Sequence, residues 1–137
     1  MKGLYLNYRI LIIDDDPSIH EDFIKVLGSD HGQHDEKIND LNQKIFSTSS
    51  HHSVFPNYQI ESAFQGNEAI ELVKKSILES KHYALMFVDI KMAKGMDGVG
   101  IIQELRKLDS NIETVVCSAY SEYSLEELIS KIPRPDK

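Results

Sequence analysis

The sequence predicts a doubly wound α/β fold with a parallel sheet, and three observations predict it. Two short runs, Ile10-Leu11-Ile12-Ile13 and Tyr83-Ala84-Leu85-Met86-Phe87-Val88, are apolar without alternation, as strands buried on both faces are. Strand-like segments alternate along the chain with segments whose apolar residues recur every three to four positions. The first run ends at Asp14-Asp15 and the second at Asp89, so chemistry-bearing side chains gather at the carboxyl ends of strands. Parallel strands need crossover helices, and helices lying on such a sheet cover both of its faces.

The elements follow in order. Arg9 to Ile13 reads as the first strand. Asp16-Pro17 pairs an N-cap with proline at the first helical position, and Ile19, Phe23, Val26 and Leu27 mark the apolar stripe of a first helix that Gly28 stops. The polar stretch from Ser29 to Asn57 reads as an insertion carrying one short helix, marked by Ile38, Leu41, Ile45 and Phe46. Tyr58 to Ala63 alternates as a half-exposed strand does, and Gly66-Asn67 opens a second helix with Ala69, Ile70, Val73 and Ile77. The run from Tyr83 to Val88 is the central and most buried strand. Asp97-Gly98 precedes a third helical stripe of Val99, Ile102, Leu105 and Leu108, and Ile112 to Cys117 forms a fourth strand ending at Ser118. Ser124 and Glu127 have capping-box spacing before a last helix that Pro133 and Pro135 forbid to continue.

Composition excludes several classes. With 137 residues, 41% hydrophobic and 27% charged, the chain suits one globular unit with a real core, and no apolar run is long enough to cross a bilayer. The amino terminus lacks a secretory pattern, and the single cysteine, Cys117, sits in an apolar run as a small core side chain, so the expected compartment is the cytoplasm. A formal charge of −7 without a basic cluster argues against direct nucleic-acid binding.

Ligands of doubly wound sheets bind beyond the carboxyl ends of the strands. Asp14, Asp15, Asp89 and Ser118 all fall there, giving an acidic pocket with one hydroxyl. Crowded carboxylates repel one another unless a hard cation neutralises them, and an all-oxygen set suits Mg²⁺. One carboxylate can then act as nucleophile toward a phosphoryl group, and Asp89 holds the central place. Asp16 and Asp97 read as helix N-caps and stay outside the site. His31, His34, His51 and His52 lack ligand spacing and read as solvated loop.

Ile10 to Pro17, Phe87-Val88-Asp89-Ile90-Lys91-Met92 with Met96-Asp97-Gly98, and Val116 to Tyr120 together resemble the receiver domain of bacterial two-component systems, a CheY-like, flavodoxin-like fold. The resemblance implies one receiver domain over 1–137 with an insertion at about 29–57. It also implies roles: Asp14, Asp15 and Asp89 as Mg²⁺ ligands together with the Lys91 backbone carbonyl, Asp89 as phosphoacceptor, and Ser118 as the phosphoryl-binding switch hydroxyl. The implied partners are a sensor histidine kinase or phosphotransfer protein and an output domain. The protein would be a signalling switch, with at most Mg-dependent self-phosphorylation and self-dephosphorylation.

Departures accompany the match. Ala93 replaces the usual proline, and the loop to Asp97 has one extra residue. Neither a fifth strand with its Lys-Pro pair nor a fifth helix has a counterpart. The expectation is therefore a truncated receiver, phosphorylated slowly and able to self-associate through the open edge of strand four. Two other readings compete: a pseudo-receiver that signals by contact without phosphorylation, and a hydrolase with an aspartate nucleophile. The hydrolase generally wants a second acid where Lys91 stands.

Overall fold

Four strands form one parallel sheet in the computed structural model, which describes residues 6–28, 56–93, 95–118 and 124–132. They are β1 (Arg9–Ile13), β2 (Gln59–Ala63), β3 (Leu85–Asp89) and β4 (Glu113–Cys117), in the spatial order β2-β1-β3-β4. The helices are α1 (Pro17–Leu27), α2 (Gly66–Leu78), α3 (Gly98–Leu108) and α4 (Leu125–Lys131). The helix expected in the 29–57 insertion falls outside the described residues.

Strand alternation divides the apolar side chains between two faces. Leu11 and Ile13 of β1 and Met86 and Val88 of β3 point to one side, where they meet Ala69 and Val73 of α2 and Ile101, Ile102 and Leu105 of α3 in one buried cluster. Fully burying such side chains contributes about 1.5–3 kcal/mol each, so this layer dominates the apolar stabilisation. Phe87 points to the opposite side and packs on Phe23 of α1, ring centroids 4.6 Å apart. Helices on both faces make the fold doubly wound α/β, as the sequence predicts.

Two expectations need correction. The most buried strand is β1, whose last four residues are all buried, while Leu85, Phe87 and Asp89 of β3 are only partly so. For Phe87 the reason lies on the α1 face, where it lines an apolar hollow of about 320 Å³ with Phe23, Val26, Leu27 and Asp22. The stripe expected on α1 also shifts: Val26 is 67% exposed, and the helix's buried residue is His20, at 3%.

Local capping chemistry matches expectation. Asp16 accepts from the Ser18 amide at 2.9 Å and Asp97 from the Gly100 amide at 2.8 Å, so both are N-caps. Ser124 and Glu127 form the reciprocal capping box. At the opposite end of the sheet from the acids, Arg9 pairs with Glu61 at 2.6 Å and lies over the Tyr83 ring, while the Tyr83 hydroxyl also donates to Glu61.

Candidate metal centre

The strand order reverses between β1 and β3, because β1 connects to a strand on one side and β3 enters on the other. At such a switch point the crossovers diverge and leave a crevice. The register pairs Ile13 with Val88, so the next residues along, Asp14 and Asp89, arrive side by side over that crevice. The Asp14 amide still donates to Ala63 O at 3.1 Å, which extends the β1–β2 ladder one residue past the strand and fixes where Asp14 begins.

Carboxylate oxygens of Asp14, Asp15 and Asp89 all lie within 4.8 Å of one another. Each carboxylate is oriented by a backbone amide. Asp14 Oδ1 accepts from Asp16 at 2.9 Å, Asp89 Oδ1 from Lys91 at 3.0 Å, and Asp15 Oδ2 from Ala93 at 2.8 Å. The first two are Asx turns, in which an aspartate folds onto the amide two residues ahead. The third ties the loop after β3 back to the β1 side across the crevice.

Burial pushes the Asp14 carboxyl above its ordinary value, and the charges of Asp89 and Asp15 push it further, against the lowering hydrogen bond from Asp16. Such a cluster is held together by the fold against its own repulsion. It consists only of hard oxygen donors, and a Mg²⁺-sized cation fits that chemistry better than any soft metal. Cys117 is half-buried beside Asp89 in the β3–β4 register, and burial with the charges of Asp14 and Asp89 raises its thiol's pKa. A thiol held protonated in this way is a poor nucleophile, consistent with a packing role.

The other expected residues fall around the same crevice. Ser118 follows Cys117, the register partner of Asp89, and is exposed at the end of β4. Lys91 is exposed, and its amide closes the Asp89 turn. His31, His34, His51 and His52 lie outside the described residues, as do Ala119 and Tyr120.

Two residues contribute to the site through the backbone, a role their side chains do not announce in the sequence. Gly98 starts α3 so close to β3 that a Cβ there would sit 2.2 Å from Asp89 O, and its own amide donates to Ile90 O at 3.1 Å. Only a residue without a side chain allows the helix to begin against the Asp89 backbone. Ala93 supplies an N–H that proline would lack; its replacement of the usual proline was the available signal.

Fold and site together define a parallel α/β domain with an acidic centre at its switch point. The family model of the response regulator receiver domain matches residues 53–131, more than half of the chain, and the chain belongs to that family. The match includes Asp89 and Ser118. Asp14 and Asp15 precede it, and join the site through the sheet. Sporulation initiation phosphotransferase F of Bacillus subtilis is 31% identical over 68 residues, 50% of each protein, so the chain spans about half the length of this curated relative. Among solved structures, chemotaxis protein CheY4 of Vibrio cholerae is similar with a TM-score of 0.58 and 14% identity, over 91% of this chain and 79% of that one. A CheY-like receiver domain protein of Methanospirillum hungatei gives 0.54 and 20%, over 90% and 76%. Adenylate cyclase from Rhodopirellula baltica gives 0.55 and 23%, over 82% of this chain and 60% of that one. At these identities the structural likenesses speak for the fold. The family is one of two-component signalling switches, and among the described residues no helix is long and apolar enough to cross a membrane.

Proposed function

We propose that residues 1–137 act as one receiver unit, with an insertion at about 29–57, in which Asp89 accepts a phosphoryl group from a sensor histidine kinase or a phosphotransfer protein in the cytoplasm. The observation that carries this reading is the convergence of three carboxylates within 4.8 Å at the switch point of the sheet, with Asp89 on β3 in the family-matched segment. Asp14, Asp15 and Asp89, with the backbone carbonyl of Lys91, would hold Mg²⁺. When bound, that cation neutralises charge on the carboxylates and on the equatorial phosphoryl oxygens.

The remaining chemistry belongs to the chain. An Asp89 carboxylate oxygen attacks phosphorus in line as the bond to the donor nitrogen breaks, and the electron pair leaves with the donor imidazole. The Asp89 turn onto the Lys91 amide fixes one oxygen and so aims the other. The Ser118 hydroxyl, one residue beyond Asp89's register partner, hydrogen-bonds the transferred group and couples its presence to the β4 side of the domain. The output is conformational, so the protein is a switch, with self-phosphorylation from small donors and self-dephosphorylation as its only turnover. Among the described residues β4 pairs only with β3, and its outer edge is where copies would associate. Sedimentation at rising concentration tests that part: a strictly monomeric protein refutes it.

Intact-mass spectrometry after incubation with acetyl phosphate and Mg²⁺ tests the centre. The expected result is one added phosphoryl group in the wild type, none with EDTA and none in Asp89→Asn. A wild type that binds Mg²⁺ yet stays unmodified refutes phosphoacceptance and leaves the contact-only pseudo-receiver.

A further inference from the structure

We infer that His20 is a positioning residue for the acidic pair, a role that rests on the reading of the site above as a cation centre. His20 lies in the first turns of α1 and is 97% buried by the complement of its 3% exposure. Its Nε2 lies 2.7 Å from the backbone oxygen of Asp14. A carbonyl oxygen can only accept, so Nε2 carries the hydrogen and donates. The ring is held against Phe64, centroids 4.3 Å apart, at the end of β2.

Peptide planarity gives this contact its consequence. The Asp14 carbonyl and the Asp15 amide share one rigid plane that ends at the Asp15 Cα, so fixing the carbonyl fixes the point from which the Asp15 side chain departs. The Asp14 amide is tied on the other side to Ala63 O at 3.1 Å. The backbone at Asp14 is therefore clamped at both its polar groups, by β2 on one and by His20 on the other. Asp14 and Asp15 are adjacent residues that must both turn a carboxylate toward Asp89 within 4.8 Å. Consecutive side chains of an extended strand point to opposite faces. The chain must leave the strand geometry between them, and that peptide is the one His20 holds.

The ring's other nitrogen, Nδ1, is buried without a hydrogen-bond partner. A side chain serving only to fill space would leave no such polar atom in the core, since an unsatisfied buried nitrogen costs about 1–3 kcal/mol. An apolar residue would fill the same volume without it. What histidine offers here over leucine is the Nε2 donor at the Asp14 carbonyl.

The test compares His20→Gln, whose amide nitrogen reaches the place of Nε2, with His20→Asn, whose shorter side chain does not, and with His20→Leu, which has no donor. Mg²⁺ dissociation constants are measured by calorimetry on the full chain, alongside the melting temperature in EDTA. Substituting partners that orient metal ligands weakens metal binding about 10- to 100-fold, so that loss is expected for Asn and Leu, with Gln rescuing to within about threefold. Affinities equal to wild type in folded Asn and Gln variants overturn the proposal, whatever happens to the melting temperature. If Leu does not fold, the Asn and Gln pair decides. A wild type that binds no Mg²⁺ instead overturns the reading of the centre itself, and His20's role with it.

Discussion

Neutralising Asp89 should stabilise the metal-free protein and abolish its response to metal. Asp89 faces Asp14 and Asp15 with oxygens no more than 4.8 Å apart. Two unit charges at that separation repel by about 0.9 kcal/mol in bulk water and about 3.5 kcal/mol at an effective dielectric of 20. Asp15 is exposed and Asp89 only partly buried, so the lower figure is the better guide, and two repulsive pairs give about 1–2 kcal/mol. Asp89→Asn removes both pairs while its amide oxygen can still accept from Lys91, so the turn survives. For a domain of this size that gain raises the melting temperature by about 3–7 °C in EDTA. Mg²⁺ at about a hundred times its dissociation constant should stabilise the wild type by about 2.7 kcal/mol, which reverses the order of the two proteins. Differential scanning calorimetry with and without Mg²⁺ reads both. A variant no more stable than wild type in EDTA, or one stabilised by Mg²⁺ as much as wild type, would refute the electrostatic account of the cluster.

Gly98→Ala places a methyl group 2.2 Å from Asp89 O, and should cost about 1–3 kcal/mol in urea denaturation while slowing phosphorylation, because the helix can move away only by shifting the Asp89 backbone. Ala93→Pro removes the amide that holds Asp15 and, at this exposed position, should weaken Mg²⁺ binding several-fold with little loss of stability; unchanged affinity by calorimetry would show the tie to be incidental. Burial, with the hydrogen bond to Glu61, raises the Tyr83 pKa well above the ordinary tyrosine value. Its stabilising contribution is complete below the unfolded value of 10.0 and is lost as pH rises through the folded one. Ultraviolet titration of the wild type against Tyr83→Phe should therefore show the tyrosinate by which they differ appearing only with unfolding; a difference already present near pH 10 in native protein would contradict that.

The parts of the fold legible in the sequence are those set by local rules. The β1 strand could be bounded at Arg9 and Ile13 because an unbroken β-branched run is stopped by acids, and the caps Asp16, Asp97 and Ser124 were readable from their spacing to the helices. The start of β3 was placed at Tyr83, whereas pairing begins at Leu85, since hydropathy does not mark where the ladder to β1 engages. The acids were visible as strand-end residues. The amides that orient them were not, because Ala93 and Lys91 act through a backbone N–H that every residue type except proline carries. His20 was read past for a related reason: helical periodicity reports which face is buried, and not whether a polar residue on it has a backbone acceptor waiting.

The orientation of the site by backbone amides has a consequence for how the family match and the fold divide the work. The matched segment 53–131 carries Asp89, its Lys91 turn, the Ala93 amide and Gly98, while β1 and α1, which lie before it, carry Asp14, Asp15 and His20. Among the hydrogen bonds that bridge the halves at the site, alongside the pairing of β1 with β2 and β3, are the Asp14 amide to Ala63 O and the Ala93 amide to Asp15 Oδ2. The first is a ladder bond and survives most substitutions. The second depends on a residue with an N–H at position 93. Relaxing it should separate the acidic pair from Asp89 without unfolding the sheet, so Ala93→Pro combined with His20→Asn should lose metal affinity more than additively if both hold the same carboxylate, Asp15, in place. Purely additive losses in a double-mutant cycle would mean that the two ties orient it independently.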